Sequence, residues 1–195
     1  MSITALSSLS RSGICRWLLR IEYTFAALLV ALVLLLIVVN VITRSIGAPI
    51  YWIDELAIYT MVWMVFFSFP ILIARRANVA VTILTGLLSE TVRGYLTLII
   101  DSIILLASAL LLFIALRWFD PLGLAAAGFD RYEFSGNTFN FIYQEPTNTL
   151  VFGKYLVWLV IPLSALLCTL HALLNLLESV GETAVCRLVI GGVQK

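Results

Sequence analysis

The chain holds one histidine, His171, and three cysteines, Cys15, Cys168 and Cys186, the side chains best suited to redox or metal chemistry. Their number and spacing do not support such chemistry. Haem in a membrane helix bundle calls for more axial-ligand candidates than one, and a zinc site uses about four ligands. The cysteines are widely spaced, form no C-x-x-C motif, and serve as small apolar residues or free thiols. No catalytic residue, cofactor or metal site is therefore assigned. What remains is a handful of polar residues in apolar sequence. His171, Asn175 and Glu178 recur at i, i+4 and i+7, a spacing that puts them on one helix face as a line of hydrogen-bonding contacts. Asp101 sits about two turns into an apolar run, where an acid is costly unless paired or solvated. It either meets headgroup water, forms a structural pair with a partner helix or with Arg93, or couples to an ion. Eight residues at about 100° each bring Arg93 to within about 80° of its face.

The elements that must position these residues are four apolar stretches, 21–43, 55–74, 95–118 and 155–177. A hydrocarbon core roughly 30 Å thick is crossed by about 20 helical residues, and each stretch suffices. Hydrophobic residues make up 62% of the chain and charged ones 12%, half of the roughly 25% usual in soluble domains. Mean hydropathy is +1.08. The expectation is an all-α integral membrane protein, residues 1–195 forming a single membrane domain. The first stretch exceeds the roughly 7–15 apolar residues of an export signal and is read as a retained span. A net charge of +1, with no basic patch interleaved with aromatics outside the spans, argues against nucleic-acid binding. Arg11, Arg16, Arg20, Arg75, Arg76, Arg93, Arg187 and Lys195 fall on one side, against Arg44, Arg117, Arg131 and Lys154 on the other. By the positive-inside bias both termini are cytoplasmic.

Between the spans, residues 3–20 mix apolar side chains with arginines, as in a basic interfacial helix or a frayed tail. Gly47 and Pro49 mark a short external turn, and Trp52 suits the headgroup level. Asp54 and Glu55 then open the second span, favoured by its N-terminal partial charge. That span is aromatic, with Tyr59, Trp63, Phe66, Phe67 and Phe69, and Arg75, Arg76 and Arg93 are expected to anchor the cytoplasmic surface. Residues 80–93 separate into an apolar and a polar arc, which predicts a helix lying flat in the interface. The external loop 119–154 is far longer than usual bundle connections of about 2–8 residues. Its aromatic content, including Phe129, Tyr132, Phe134 and Tyr143, predicts an ordered loop with a mildly acidic surface.

The run Trp52-Ile53-Asp54-Glu55, an aromatic span, and then Ala74-Arg75-Arg76-Ala77-Asn78-Val79-Ala80-Val81 resembles the small permease subunit of the tripartite ATP-independent periplasmic (TRAP) transporters. Lys154, Ile161-Pro162-Leu163 and the run from Leu170 resemble that family's last span, and the likeness covers about residues 20–178. Asn78 and Thr82 stand where the family usually has a histidine and an acid. The resemblance implies a membrane scaffold without enzymatic activity, partnered by a large permease and a periplasmic solute-binding protein, in sodium-driven uptake of an organic acid. It implies a subunit interface drawn from Trp52, Glu55, Tyr59, Trp63 and Asp101. Glu55 is then either a plain helix-start acid or a hydrogen-bonding contact to the large subunit. The loop residues Phe129, Tyr132, Phe134 and Tyr143 either dock the binding protein or pack over the chain's own membrane face. A stand-alone transporter or channel is the alternative, weakened by the lack of a charge-lined path or broken helix pair. A membrane oxidoreductase would need the paired cysteines or ligating histidines that the chain lacks.

Overall fold

The computed structural model describes residues 13–76 and 90–193. In chain order its helices are α1 (Gly13–Ser45), α2 (Tyr51–Ala74), α3 (Glu90–Phe119), α4 (Pro121–Ala126), α5 (Arg131–Thr138), α6 (Tyr155–Trp158) and α7 (Val160–Val193). Among the described residues there is no strand, only an isolated bridge between Pro146 and Gly153. Four helical stretches are long and apolar enough to span a bilayer: Arg16–Ser45, Tyr51–Ala74, Val92–Ala126 and Tyr155–Gly181. The protein is an all-α integral membrane protein, as its composition predicts. Most of the expected interfacial helix at 80–93 lies outside the described residues, and its last four residues open α3. The expected helix at 3–20 is described from Gly13 on, where it is already the start of α1.

Serine and threonine hydroxyls inside the spans donate to the carbonyl four residues back, as Thr60 does to Leu56, Ser68 to Met64 and Ser108 to Ile104. With no water in the hydrocarbon layer, this is how a hydroxyl is satisfied without a partner helix. The fourth span has 44% of its apolar window buried, against 17 to 22% for the other three. The first three therefore keep broad apolar faces, Leu34, Leu35, Ile103 and Leu106 among them, open to lipid or to another chain.

Chain contacts divide the molecule into two units. The first takes the opening turns of α1 up to Glu22, residues 69–111, and α7 from Ala165 on; the second takes Tyr23–Ser68 and Leu112–Ser164.

In the second unit the turn from α1 to α2 closes on Gly47, whose φ of +76° is the left-handed conformation that suits glycine. Gly47 N–H reaches Arg44 O at 3.1 Å and Ala48 N–H reaches Thr43 O at 2.9 Å, a Schellman closure. Asn40 and Arg44 both donate to Asp54, tying the end of α1 to the first turn of α2. Below this, Phe25 packs on Phe67 at 4.7 Å and on Trp63 at 6.3 Å. Pro70 has no N–H to offer Phe66 O, and Ser164 of α7 supplies that carbonyl with a hydrogen bond of 2.6 Å. The long connection has a core of its own, Phe119, Phe134, Ile142 and Tyr143. Its order comes from tight capping: Asp120 accepts from Gly123 N–H at the start of α4, and Asp130 accepts from Tyr132 and Glu133 at the start of α5.

Candidate functional site

Two buried polar sites emerge, one in each unit. In the first unit the face of α7 that carries His171, Asn175, Glu178 and Ser179 meets a segment of each other span. His171 Nε2 lies 3.0 Å from both carboxylate oxygens of Glu22 in α1, and both side chains are almost wholly buried. An acid and an imidazole at that distance offset part of each other's desolvation cost, which neither could bear alone in a membrane. One turn on, Asn175 Nδ2 donates to Ile73 O at 2.8 Å, capturing one of the last carbonyls of α2, which have no intrahelical donor.

Arg76 joins this site from just beyond α2. Its Nη2 donates to Asp101 at 3.1 Å, to Asn175 O at 2.7 Å and to Ser179 Oγ at 2.9 Å, and lies 3.8 Å from Glu178. Ser179 in turn donates a hydroxyl hydrogen bond to Asp101. Arg76 has φ +49°, a left-handed conformation that costs a non-glycine residue about 1–2 kcal/mol. The strain is held because that geometry turns the guanidinium inward onto α3 and α7. This corrects the expectation of a membrane-surface anchor at Arg76, while Arg75 and Arg93 have exposed side chains. Asp101 is buried and paired, with half-buried Arg76 and buried Ser179 as its partners.

In the second unit Glu55 is buried on the first turns of α2 and accepts four hydrogen bonds from neutral donors. Tyr59 OH and Asn148 N–H reach Oε1 at 2.6 and 2.8 Å; Thr149 N–H and Oγ1 both reach Oε2 at 2.6 Å. Successive backbone N–H groups converging on one carboxylate form an anion-binding nest. Thr147 shapes it by donating to Leu150 O and Phe152 O. Beside it, Leu29, Leu56, Tyr59, Thr60, Trp63, Phe152, Leu156 and Val157 line an apolar groove of about 250 Å³. Of the expected interface residues, Tyr59 and Trp63 thus share this groove, Trp52 is 45% exposed, and Asp101 belongs to the other site.

The loop aromatics divide. Phe134 and Tyr143 are buried in the loop's own core, so they hold its shape and do not offer a docking surface. Phe129 and Tyr132 are exposed. Tyr143 OH donates to Phe119 O at 2.5 Å, and burial, then the Asp120 carboxylate, push its hydroxyl up to about 12.

Across these sites the polar chemistry consists of fixed hydrogen bonds and ion pairs. Among the described residues no group of histidine, cysteine, aspartate and glutamate is placed to hold a metal. The model of the tripartite ATP-independent periplasmic transporters' DctQ component matches residues 32–182. The chain belongs to the DctQ family. No curated protein and no solved structure matches the chain. A DctQ protein is the small membrane subunit of a TRAP transporter, a transport component and not a member of an enzyme family. Helical spacing pointed to the DctQ chain's α7 face, and a helix-start position together with the family resemblance pointed to Glu55. It gave no warning of Glu22, Ser179 or the Asn148–Thr149 nest, although Glu22 carries the same signal as Asp101, an acid within apolar sequence.

Proposed function

We propose that this chain is a static membrane scaffold for a large permease, in a transporter that takes up an organic acid by sodium symport after delivery by a periplasmic binding protein. The observation that carries the scaffold role is where the buried acids of its spans are spent. Glu22, Glu55 and Asp101 are each engaged by groups of the chain itself. Such wiring makes a rigid body; a translocation path needs polar groups that release and rebind a solute. Sodium coupling and the organic-acid substrate are carried over from the resemblance to TRAP transporters. The large permease would pack on the apolar faces of the first two spans, the groove at Tyr59 and Trp63 included, since membrane helices associate by close packing and occasional polar contacts. Glu55 would serve that interface by fixing the loop beside the groove. Both termini lie in the cytoplasm of the bacterial inner membrane, by the charge bias.

The test is co-purification of a tagged copy from native membranes in mild detergent, with mass spectrometry of its companions. A large multispan permease in near-equal amount is the expected result. Recovery of the chain alone, together with solute uptake by vesicles that contain nothing else, would support a stand-alone transporter instead. Docking of the binding protein would fall to Phe129 and Tyr132. Replacing both by alanine should weaken uptake while leaving the two-subunit membrane complex intact.

A further inference from the structure

The long connection is fastened to the last turn of α3 by two loop side chains. Asn140 Nδ2 donates to Trp118 O at 2.7 Å and Tyr143 OH donates to Phe119 O. These carbonyls end a spanning helix and have no intrahelical donor. Their capture seats residues 139–143 at the height of that helix end. Trp118 is 41% exposed and meets Trp158 edge-on at 6.2 Å, the residue type that marks a membrane–water boundary.

Phe139, next to Asn140, closes α5 with φ +56° and is 82% exposed. A helix ending of this kind favours glycine, or asparagine, because a bulky side chain is strained there. A phenylalanine that bears this strain and finds no burial within its own chain is explained by a surface outside the chain. Leu122, two residues past the Asp120 cap of α4, is likewise 82% exposed, and its wheel position is opposite Leu124, which packs on the loop core. The outward face of α5 is different: Tyr132, Glu133, Gly136 and Asn137 are polar or small and exposed.

We propose that Phe139 and Leu122, with Trp118, form an edge of the loop that enters the phospholipid headgroup layer, while the Tyr132–Asn137 face of α5 stays in water. The occupant is lipid because the patch continues the lipid-facing surface of α3, through Phe113, Ile114 and Leu116, each exposed. Arg117, exposed in the last turn of α3, supplies a cation at phosphate height. The edge fixes how deep the loop rides, and so the height at which its polar face is presented.

The test uses the unmodified chain with its large permease in phospholipid nanodiscs. One sample is photolysed with a lipid bearing a diazirine near its headgroup, and a second is exposed to aqueous hydroxyl radicals. Peptide mass spectrometry is expected to show carbene labelling at Phe139 and Leu122 severalfold above that at Tyr132, with hydroxyl-radical oxidation ranked the other way. Oxidation of Phe139 as ready as that of Tyr132, without carbene labelling, would place the edge in water and overturn the proposal. Protection of Phe139 from both reagents would overturn it in favour of a protein partner, and protection lost when the permease is omitted would name that partner.

Discussion

Asp101 in the first unit and Glu55 in the second are both buried carboxylates beside apolar spans, and they are stabilised by opposite means. Asp101 has a cation, Arg76, and a hydroxyl, Ser179. Glu55 has four neutral donors, two of them consecutive backbone N–H groups of a loop. The first arrangement depends on which side chains are present, and is brittle to the loss of one charge. The second depends on a backbone conformation, and its failure releases the loop. A charge pair therefore joins helices here, and a nest of dipoles holds a connection onto a helix.

The largest effect separating the two is expected at Arg76. Arg76→Ala leaves Asp101 buried with its charge unmatched, and losing one partner of a buried pair costs about 3–5 kcal/mol, with the low end expected because the guanidinium side chain is 33% exposed. The melting temperature of the detergent-solubilised chain should fall accordingly. The double replacement Arg76→Met with Asp101→Leu should recover much of it, since an apolar pair leaves no buried charge. A single variant as stable as the parent would mean that water already solvates Asp101, and the contrast with Glu55 would collapse.

Glu55→Gln is expected to be milder and local. Whichever way the amide is turned, its NH2 faces a backbone N–H of Asn148 or Thr149, so one buried donor goes unsatisfied at a cost of about 2 kcal/mol. Limited proteolysis should then cut within 144–153 faster than in the parent, while the Arg76 site keeps its contribution to the melt. Equal protection of that segment in both proteins would show that Glu55 does not hold the loop.

The spans were legible because bilayer thickness imposes a length and composition on each of them, and the α7 face because His171, Asn175 and Glu178 keep helical spacing. Which partner each residue meets was not. Arg76 was expected at the membrane surface because a basic pair at a helix end usually snorkels, and nothing in its type announces a left-handed backbone. The nest over Glu55 is made largely of backbone N–H groups, which every sequence has, so only the fold brings them together. Phe134 and Tyr143 looked like Phe129 and Tyr132 in the sequence. Capping by Asp130 fixes where α5 begins, and two residues at about 100° each put Phe134 inward and Tyr132 on the opposite, exposed side.

The second unit has one further tie whose strength can be read separately from that of Glu55. Tyr143 is buried and its hydroxyl is pushed up to about 12 from an ordinary 10.0. A raised value in the folded state means that the fold favours the neutral phenol. The contribution is whole below about pH 10 and is lost as pH rises through about 12. Tyrosinate absorbance should therefore show a late-ionising group, and protection of the 119–143 region should fall across that window. Tyr143→Phe has nothing to ionise there and loses the hydrogen bond to Phe119 O, at about 1 kcal/mol. It should reduce the amplitude of the late step in the titration and leave the Glu55 nest in place, still protecting 144–153. Loss of protection over both segments at once would show instead that the loop is a single cooperative body, with the nest and the phenol acting as one fastening.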